Sequence, residues 1–416
     1  MIEIRLAPPG ASAEAVVETA SARALRVAGG KLVRDLPPGR SVLARPGLSG
    51  DRLTAFVEGL VLGSYRYSLA TGAPPPKRTV ELAAVDDAAA LERGVRAATA
   101  TAWARDLANT PSSVKTPAWL GEQARRVLTP LGVDVSVRDE AWLRAQGFGG
   151  VLAVGGGSVS PPRLIHATWR PRGASSAPHV VLVGKGITFD TGGLNIKHGD
   201  GMKTMKTDMA GGAAVLAAVR LLAAARTPAR VTALVPVAEN SFGGSSYRPG
   251  DVLRHYGGRT SEIGNTDAEG RIVLADALAY AAARLRPTVL VDVATLTGAM
   301  KIALGVQTGG LFATTDELAG QLVRAGDAAG EQLWRMPLAA DYEVALDSDV
   351  ADANNAPGNP GAITAALFLQ HFTGGLPWAH LDIAGPARAA KDDGMITKGA
   401  TGFGARLLAR WVESLG

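Results

Sequence analysis

The chain has 416 residues, of which 47% are hydrophobic and 19% charged, with 51 glycines and a formal net charge of +5 at pH 7. That length exceeds the ~250–300 residues at which single cores usually divide, so two domains are expected, and the composition is globular rather than disordered. There is no cysteine, which excludes disulfides, thiolate metal sites and a cysteine nucleophile together.

Lysine and arginine are spread along the chain without a run of five or more, the pattern of a solvated surface rather than a nucleic-acid interface. The opening residues, MIEIRLAPPG, lack the charged and then apolar regions of a signal peptide. No uninterrupted apolar run reaches the ~18 residues of a membrane span. A cytoplasmic chain with no membrane partner is expected.

Residues 1–85 read as a smaller N-terminal α/β domain with weak patterning. Residues 15–36 mix alanine, valine and arginine around an expected turn at Gly29-Gly30, and Pro37-Pro38-Gly39 marks a loop. Residues 52–69 carry helical spacing through Leu53, Phe56, Val57, Leu60 and Val61. The APPPK run at 73–77 is expected to be extended, with the domain boundary just after it. Residues 86–110 form a linker helix, with Asp86 and Asp87 at its positive end.

The remainder, 111–416, reads as a catalytic domain. A helix over 119–128 is started by Thr116-Pro117. Strands are expected at 133–137, 151–154, 164–169 and 179–183. Helices at 210–225, 272–285, 362–372 and 401–415 then alternate with strands at 230–237, 288–294 and 378–383. This alternation predicts a mostly parallel sheet covered by helices on both faces.

Chemistry concentrates in residues 183–208, VGKGITFDTGGLNIKHGDGMKTMKTD, and 265–271, NTDAEGR. They hold Lys185, Asp190, Lys197, Asp208, Asp267, Glu269 and Arg271 on glycine- and threonine-rich connections. Hard divalent ions take oxygen ligands, and a close pair of them needs several carboxylates to offset its charge. The four carboxylates balance the four positive charges of two such ions. Asp190 ends ITFD before Thr191-Gly192-Gly193, where the chain can turn tightly. Asp208 precedes an apolar helix, and Asp267 and Glu269 lie in the loop before the helix beginning at Ile272.

Each residue alone has a plainer explanation. Asp208 could cap a helix, Asp190 could close a turn, and Thr266 with Glu269 has capping-box spacing. Lys185 could be a surface lysine, and no Gly-Lys-Ser/Thr supports a phosphate loop. The six histidines include no H-E-x-x-H; His198, beside Lys197, could line a site, although a bystander role is favoured. G-x-S-x-G is absent, and Gly155-Gly156-Gly157-Ser158 reads as a turn rather than a dinucleotide loop.

Taken together the segments resemble the leucyl (cytosol) aminopeptidase family of dinuclear metallopeptidases. NTDAEGR is that family's most specific signature. VGKGITFDTGG, the Lys197 segment and MKTD match further blocks, as do AEN at 238–240, YRPGD at 247–251, VLADAL at 273–278, ATLTGA at 294–299, GAITAA at 361–366, WAHLDIAG at 378–385 and ATGFG at 400–404. The likeness runs from about Ala104 to the C-terminus; before that, EGLVLGSYRY at 58–67 is the one persuasive block.

The resemblance implies a metal-dependent aminopeptidase acting on peptides with leucine or another apolar N-terminal residue. By it, Lys185, Asp190, Asp208 and Glu269 bind one metal and Asp190, Asp267 and Glu269 the second. The metals would be zinc or manganese, with magnesium as a further option. Lys197 resembles the lysine that polarises the scissile carbonyl, and Arg271 the arginine that holds a bicarbonate ion acting as general base. Met205, Thr295 and Gly298 align with residues lining the pocket for the first side chain, and Leu296 with backbone contacts there. The family also implies a homohexamer. A DNA-binding relative that kept the fold is the competing class, and a dipeptidase a narrower one. Two departures stand out: the first domain is short for the family, and His198 and Asp200 stand where proline and smaller residues are expected.

Overall fold

The structure is a computed structural model that describes residues 2–6, 15–16, 21–45, 47–73, 75–83, 85–171 and 178–415. Contacts divide the chain into two units, Met1–Asp106 with Ala389–Thr401, and Leu107–Arg388 with Gly402–Gly416.

The first unit holds a parallel sheet of β1 (Glu3–Leu6), β2 (Ala15–Val16), β3 (Ser41–Arg45) and β4 (Thr79–Leu82), in the order β1-β4-β3-β2. Its helices are α1 (Ala22–Asp35) and α2 (Gly50–Gly63), followed by α3 (Ala88–Asn109). Ser21 starts α1 by accepting the Ala24 N–H. The turn expected at Gly29-Gly30 is instead the interior of α1. A Cβ on Gly29 would lie 2.4 Å from the Phe56 carbonyl oxygen, and one on Gly59 2.3 Å from that of Arg26. These glycines let α1 and α2 approach backbone to backbone. Beside that contact Arg26 and Glu58 form a buried ion pair at 2.6 Å. The helix expected over 52–69 stops at Gly63, where the Ser64 hydroxyl donates to the Val61 carbonyl. Asp87 accepts the N–H groups of Ala90 and Gly50 and so caps α3. Pro74, within the run expected to be extended, lies outside the described residues.

The second unit is built on a nine-stranded sheet. Its strands are β5 (Asp134–Arg138), β6 (Arg163–Trp169), β7 (His179–Gly184), β8 (Gly186–Asp190) and β9 (Arg230–Asn240), and then, after the hairpin β10 (Val252–Arg254) and β11 (Thr260–Glu262), β12 (Val289–Ala294), β13 (Gly309–Ala313), β14 (Leu333–Arg335) and β15 (Trp378–Asp382). The order is β14-β13-β15-β12-β7-β9-β6-β5, with β8 also on β9. The centre, β15-β12-β7-β9, is parallel; on one side β13 runs antiparallel to β15 and parallel to β14, and on the other β6 and β5 run antiparallel to their neighbours. β7, β12 and β15 are buried throughout, as strands covered on both faces must be.

Two helical layers supply the cover. One contains α4 (Pro117–Leu128), α7 (Ala210–Ala224), α10 (Asp316–Ala329) and α12 (Ala405–Glu413); the other contains α6 (Gly149–Gly155), α8 (Glu269–Tyr280) and α11 (Gly361–Gln370). Thr116 caps α4, as its Thr-Pro start predicted. α5 (Glu140–Gln146) and α9 (Gly298–Leu304) are short. The segment Gly199–Ala224 is long and apolar enough to cross a membrane, but 89% of its apolar window is buried in the protein, which marks a core helix.

The strand expected at 151–154 is the helix α6. A four-residue apolar run carries no period to separate the two forms. Here tertiary contacts decide: the Val151 N–H donates to the buried Asp276 carboxylate, and a Cβ on Gly149 would sit 2.1 Å from the Arg254 carbonyl oxygen. The helix expected over 272–285 begins earlier, at Glu269, and its end loosens into a π turn over Ala281–Leu285.

Candidate metal centre

Ligands of α/β proteins gather beyond the carboxyl ends of parallel strands, and the acidic residues collect there. Lys185 links β7 to β8, and Asp190 is the last residue of β8. Thr295 follows β12, and Asp382 ends β15. Asp208 precedes α7 through a 3-10 turn at Gly199–Thr207, while Glu269 is the first residue of α8 rather than part of the loop before it.

Lys185 Nζ lies 2.9 Å from Asp208 Oδ2 and 2.7 Å from Glu269 Oε1, and donates to the Thr295 carbonyl at 3.1 Å. It reaches them past Gly270, where a Cβ would stand 2.7 Å from both Cε and Nζ of the lysine. Lys197 Nζ lies 2.8 Å from Asp190 Oδ2 and also contacts Asp267 Oδ1. Oxygens of Asp190, Asp267 and Glu269 all lie within 4.8 Å of one another. Asp208 joins that group through Lys185, and its Oδ1 accepts the Thr295 hydroxyl at 2.7 Å.

Neither plain explanation survives for the acidic residues before the two helices. Met209 and Ala268, not Asp208 and Thr266, occupy the cap positions of α7 and α8. The Thr266 hydroxyl donates to the Gly192 carbonyl at 2.7 Å and receives the Asn195 N–H at 2.8 Å, so it ties the two chemistry-bearing segments together.

The electrostatics are those of a centre short of positive charge. Burial lifts the Glu269 carboxyl well above its usual range, and Asp190 adds to the rise more than Lys185 opposes it. Burial pushes Asp208 up to about 6 against the pull of Lys185. Asp267 is raised by burial and by Asp190. Burial pulls the Lys185 ammonium down, but Asp208, Glu269 and Asp190 together hold it well above its ordinary value.

Geometry agrees. Asp208 Oδ2, Asp267 Oδ1 and Glu269 Oε1 are buried and close to ammonium groups, yet accept no aligned hydrogen bond among the described residues. Two lysine ammoniums thus serve four carboxylates, and further cationic charge, which needs no directional donor, would complete their pairing. The donor set of carboxylates with one amine therefore fits divalent metal ions.

Arg271 is fixed by donating from Nη1 to the Asn355 carbonyl at 2.8 Å. Its buried Nε finds no partner among the described residues, and burial pulls its pKa down to about 10. A cavity of about 750 Å³ opens beside the cluster. It is lined by Leu194, Asn195, Ile196, Lys197, His198, Gly201, Met205, Asn265 and Asp267. Met205 and His198 thus stand on its wall. Thr295 touches the acidic cluster instead, Leu296 lies in the turn into α9 and Gly298 is that helix's first residue, both off that wall.

Several supporting residues carried no role in the sequence reading. Asn240 donates to Asp190 Oδ1 at 2.8 Å. The Tyr247 hydroxyl donates to the Thr266 carbonyl at 2.7 Å, and Asp382 accepts the N–H groups of Leu296 and Thr297. AEN, YRPGD and WAHLDIAG flagged these three as members of sequence blocks, whereas nothing flagged Asn355. A Ser261–His255–Asp276 chain also exists, with bonds of 2.9 and 3.1 Å. All three side chains are buried and Asp276 also accepts two backbone N–H groups, so it braces the fold and is no nucleophile.

A parallel-centred α/β sheet with a buried carboxylate and lysine cluster at its strand ends is the arrangement of a metal-binding α/β protein. Residues 102–409 match the family model described as "Cytosol aminopeptidase family, catalytic domain", and the chain belongs to the cytosol aminopeptidase family of metal-dependent aminopeptidases. A probable cytosol aminopeptidase of Roseiflexus castenholzii is 49% identical over 85% of this chain and 75% of its own. One of Leifsonia xyli is 44% identical over 94% of this chain and 82% of its own. Among solved structures, the bottromycin maturation enzyme BotP in complex with Mn superposes with a TM-score of 0.90 at 40% identity, covering 95% of this chain and 88% of that one.

Proposed function

We propose that the chain removes apolar N-terminal residues, leucine foremost, from peptides, using two divalent metal ions held by the strand-end cluster. Lys185, Asp190, Asp208 and Glu269 hold one ion; Asp190, Asp267 and Glu269 hold the other. The observation that carries this is the group of three carboxylates with oxygens within 4.8 Å of one another, two of which carry an oxygen with no aligned donor among the described residues. When bound, such ions neutralise the carboxylates and supply a water of lowered pKa. Manganese, present in the BotP structure, and zinc are the proposed metals, with magnesium a third choice.

The protein's own groups have separate tasks. Lys185 becomes a ligand only after its proton leaves, which the carboxylates oppose until cationic charge enters. Lys197, on the cavity wall and held charged by Asp190 and Glu269 against burial, donates to the carbonyl oxygen as negative charge develops on it. Arg271, anchored by Asn355 and with Nε unmatched among the described residues, holds bicarbonate, an ion suited to general-base work. Leu194, Ile196 and Met205 give the cavity an apolar side that suits a leucine side chain. Met205, on that wall, and Thr295, Leu296 and Gly298, which lie off it, are carried over from the family resemblance as further contacts to that side chain.

The chain is further proposed to act in the cytoplasm as a homohexamer, without nucleic acid or membrane. It is organised as a small domain over 1–85, a linker helix over 86–110 and a catalytic domain over 111–416. Elemental analysis of the purified protein, paired with a peptide-library digest, tests the function. Two equivalents of divalent metal and loss of single N-terminal residues are expected; cleavage within peptides, or none, refutes it.

A further inference from the structure

Lys115 is a fully buried lysine that the reaction does not use. It lies in the connection between α3 and α4, in a turn where its N–H donates to the Pro111 carbonyl. Its side chain folds back onto the end of α3. There Nζ donates to the carbonyls of Leu107 at 3.0 Å and Ala108 at 3.1 Å. Carbonyls in the last turn of a helix have no intrahelical partner, and they form its negative pole. The third N–H of the ammonium goes to the Lys206 carbonyl at 2.5 Å. Lys206 answers in kind, its Nζ donating to the Asn109 carbonyl at 2.8 Å. The end of α3 and residue 206 are therefore tied twice, in opposite senses.

What residue 206 holds in place gives the ties their meaning. Met205, one residue before, lines the cavity. Two residues after comes Asp208, buried, with its carboxylate between Lys185 and Thr295. The 3-10 turn that leads there is otherwise exposed at Gly199, Asp200, Gly201 and Lys203, so it has little packing of its own at that end.

We propose that Lys115 is a positioning residue for the metal centre: it clamps the 206 carbonyl to the end of α3 and so fixes Asp208 and Met205. The clamp acts through backbone, since Lys115 touches neither side chain. Burial pulls Lys115 down to about 7, Lys206 adds to the fall, and Asp208 opposes it. A methionine here would avoid that desolvation but would leave three carbonyls short of a donor. The proposal rests on Asp208 being a metal ligand.

The test is calorimetric titration of Mn2+ into the chelator-treated full chain, for the wild type and four variants. Lys115→Met should weaken Mn2+ binding about 10- to 100-fold, the range seen when groups that orient ligands are removed. It should also raise KM for leucine p-nitroanilide through the freed Met205. Lys206→Met, which cuts one tie, should act in the same direction and less; it carries the test should Lys115→Met fail to fold. Arg26→Met, which breaks a buried ion pair in the other unit, should lose stability and keep its Mn2+ affinity. Affinity lost equally by Arg26→Met would reduce Lys115 to general stability and overturn the proposal. If the folded lysine variants bind Mn2+ as the wild type does while Asp208→Asn does not, the clamp alone is wrong. Wild-type binding by Asp208→Asn removes the ligand assignment and the clamp with it.

Discussion

Replacing Glu269 by glutamine should make the metal-free protein more stable and the metal-loaded protein less so. Glu269 is 1% exposed, and its oxygen lies within 4.8 Å of oxygens of Asp190 and Asp267. At an effective dielectric of ~20 each such pair repels by about 3 kcal/mol. Lys185, at 2.7 Å, attracts by about 6 kcal/mol on the same scale. These terms nearly cancel, which leaves the desolvation of a buried carboxylate, a few kcal/mol, without compensation. Glutamine keeps the shape and removes the charge, so a gain of about 1–3 kcal/mol is expected at neutral pH without metal.

The pH dependence has a definite sign. The folded-state pKa of Glu269 is raised above the ordinary 4.5, so above that pH the folded chain keeps a proton that the unfolded chain releases. Wild-type stability therefore falls as pH rises through this window, and the variant lacks that slope. The gap should be larger at about pH 7.5 than at about pH 5. Mn2+ at a thousandfold excess over its Kd adds about 4.1 kcal/mol to the wild type and little to the variant, which reverses the order. Urea unfolding with EDTA and with Mn2+, at both pH values, reads all four states. A variant less stable in EDTA at both pH values refutes the crowding argument; equal stabilisation by Mn2+ refutes Glu269 as a ligand.

Lys197→Ala should lower turnover about 10²- to 10³-fold with metal content unchanged by atomic absorption; loss of metal would make Lys197 structural instead. Arg271→Ala should slow hydrolysis in a way that added bicarbonate partly restores, and an unchanged rate removes Arg271 from the chemistry. Glu331→Ala strips Arg406 of an ion pair at 3.0 Å and the N–H groups of Gly404 and Leu407 of their acceptor. Breaking a buried pair costs about 3–5 kcal/mol, so the urea midpoint should fall while KM stays constant; a midpoint unmoved would show that the pair adds nothing.

Long periodic or wholly apolar segments were legible in the sequence. The buried strand at His179–Gly184 and the helices at Ala88–Asn109 and Ala210–Ala224 stand within two residues of expectation. Local signals failed where a distant partner decides the outcome. Gly29 and Gly30 look like a turn until α2 packs against them, with Gly59 beside Gly29 and Gly63 beside Gly30. Val151 looks extended until Asp276 takes its N–H. The acidic residues could be named because their types and order are unusual together, but the atoms that aim them come from elsewhere in the chain. Asn240 and Asp382 stand in matched blocks without a role and Asn355 in none, and all three acquire their roles through contacts 50 or more positions away.

The missing side chain at Gly270 sets a boundary on how this protein can change. Because the lysine's terminal carbon and nitrogen occupy the volume where any side chain would begin, even a single added methyl would have to evict them. An alanine at that position would therefore push the amine aside from its carboxylates without altering one charge, so volume as well as chemistry limits change at the site.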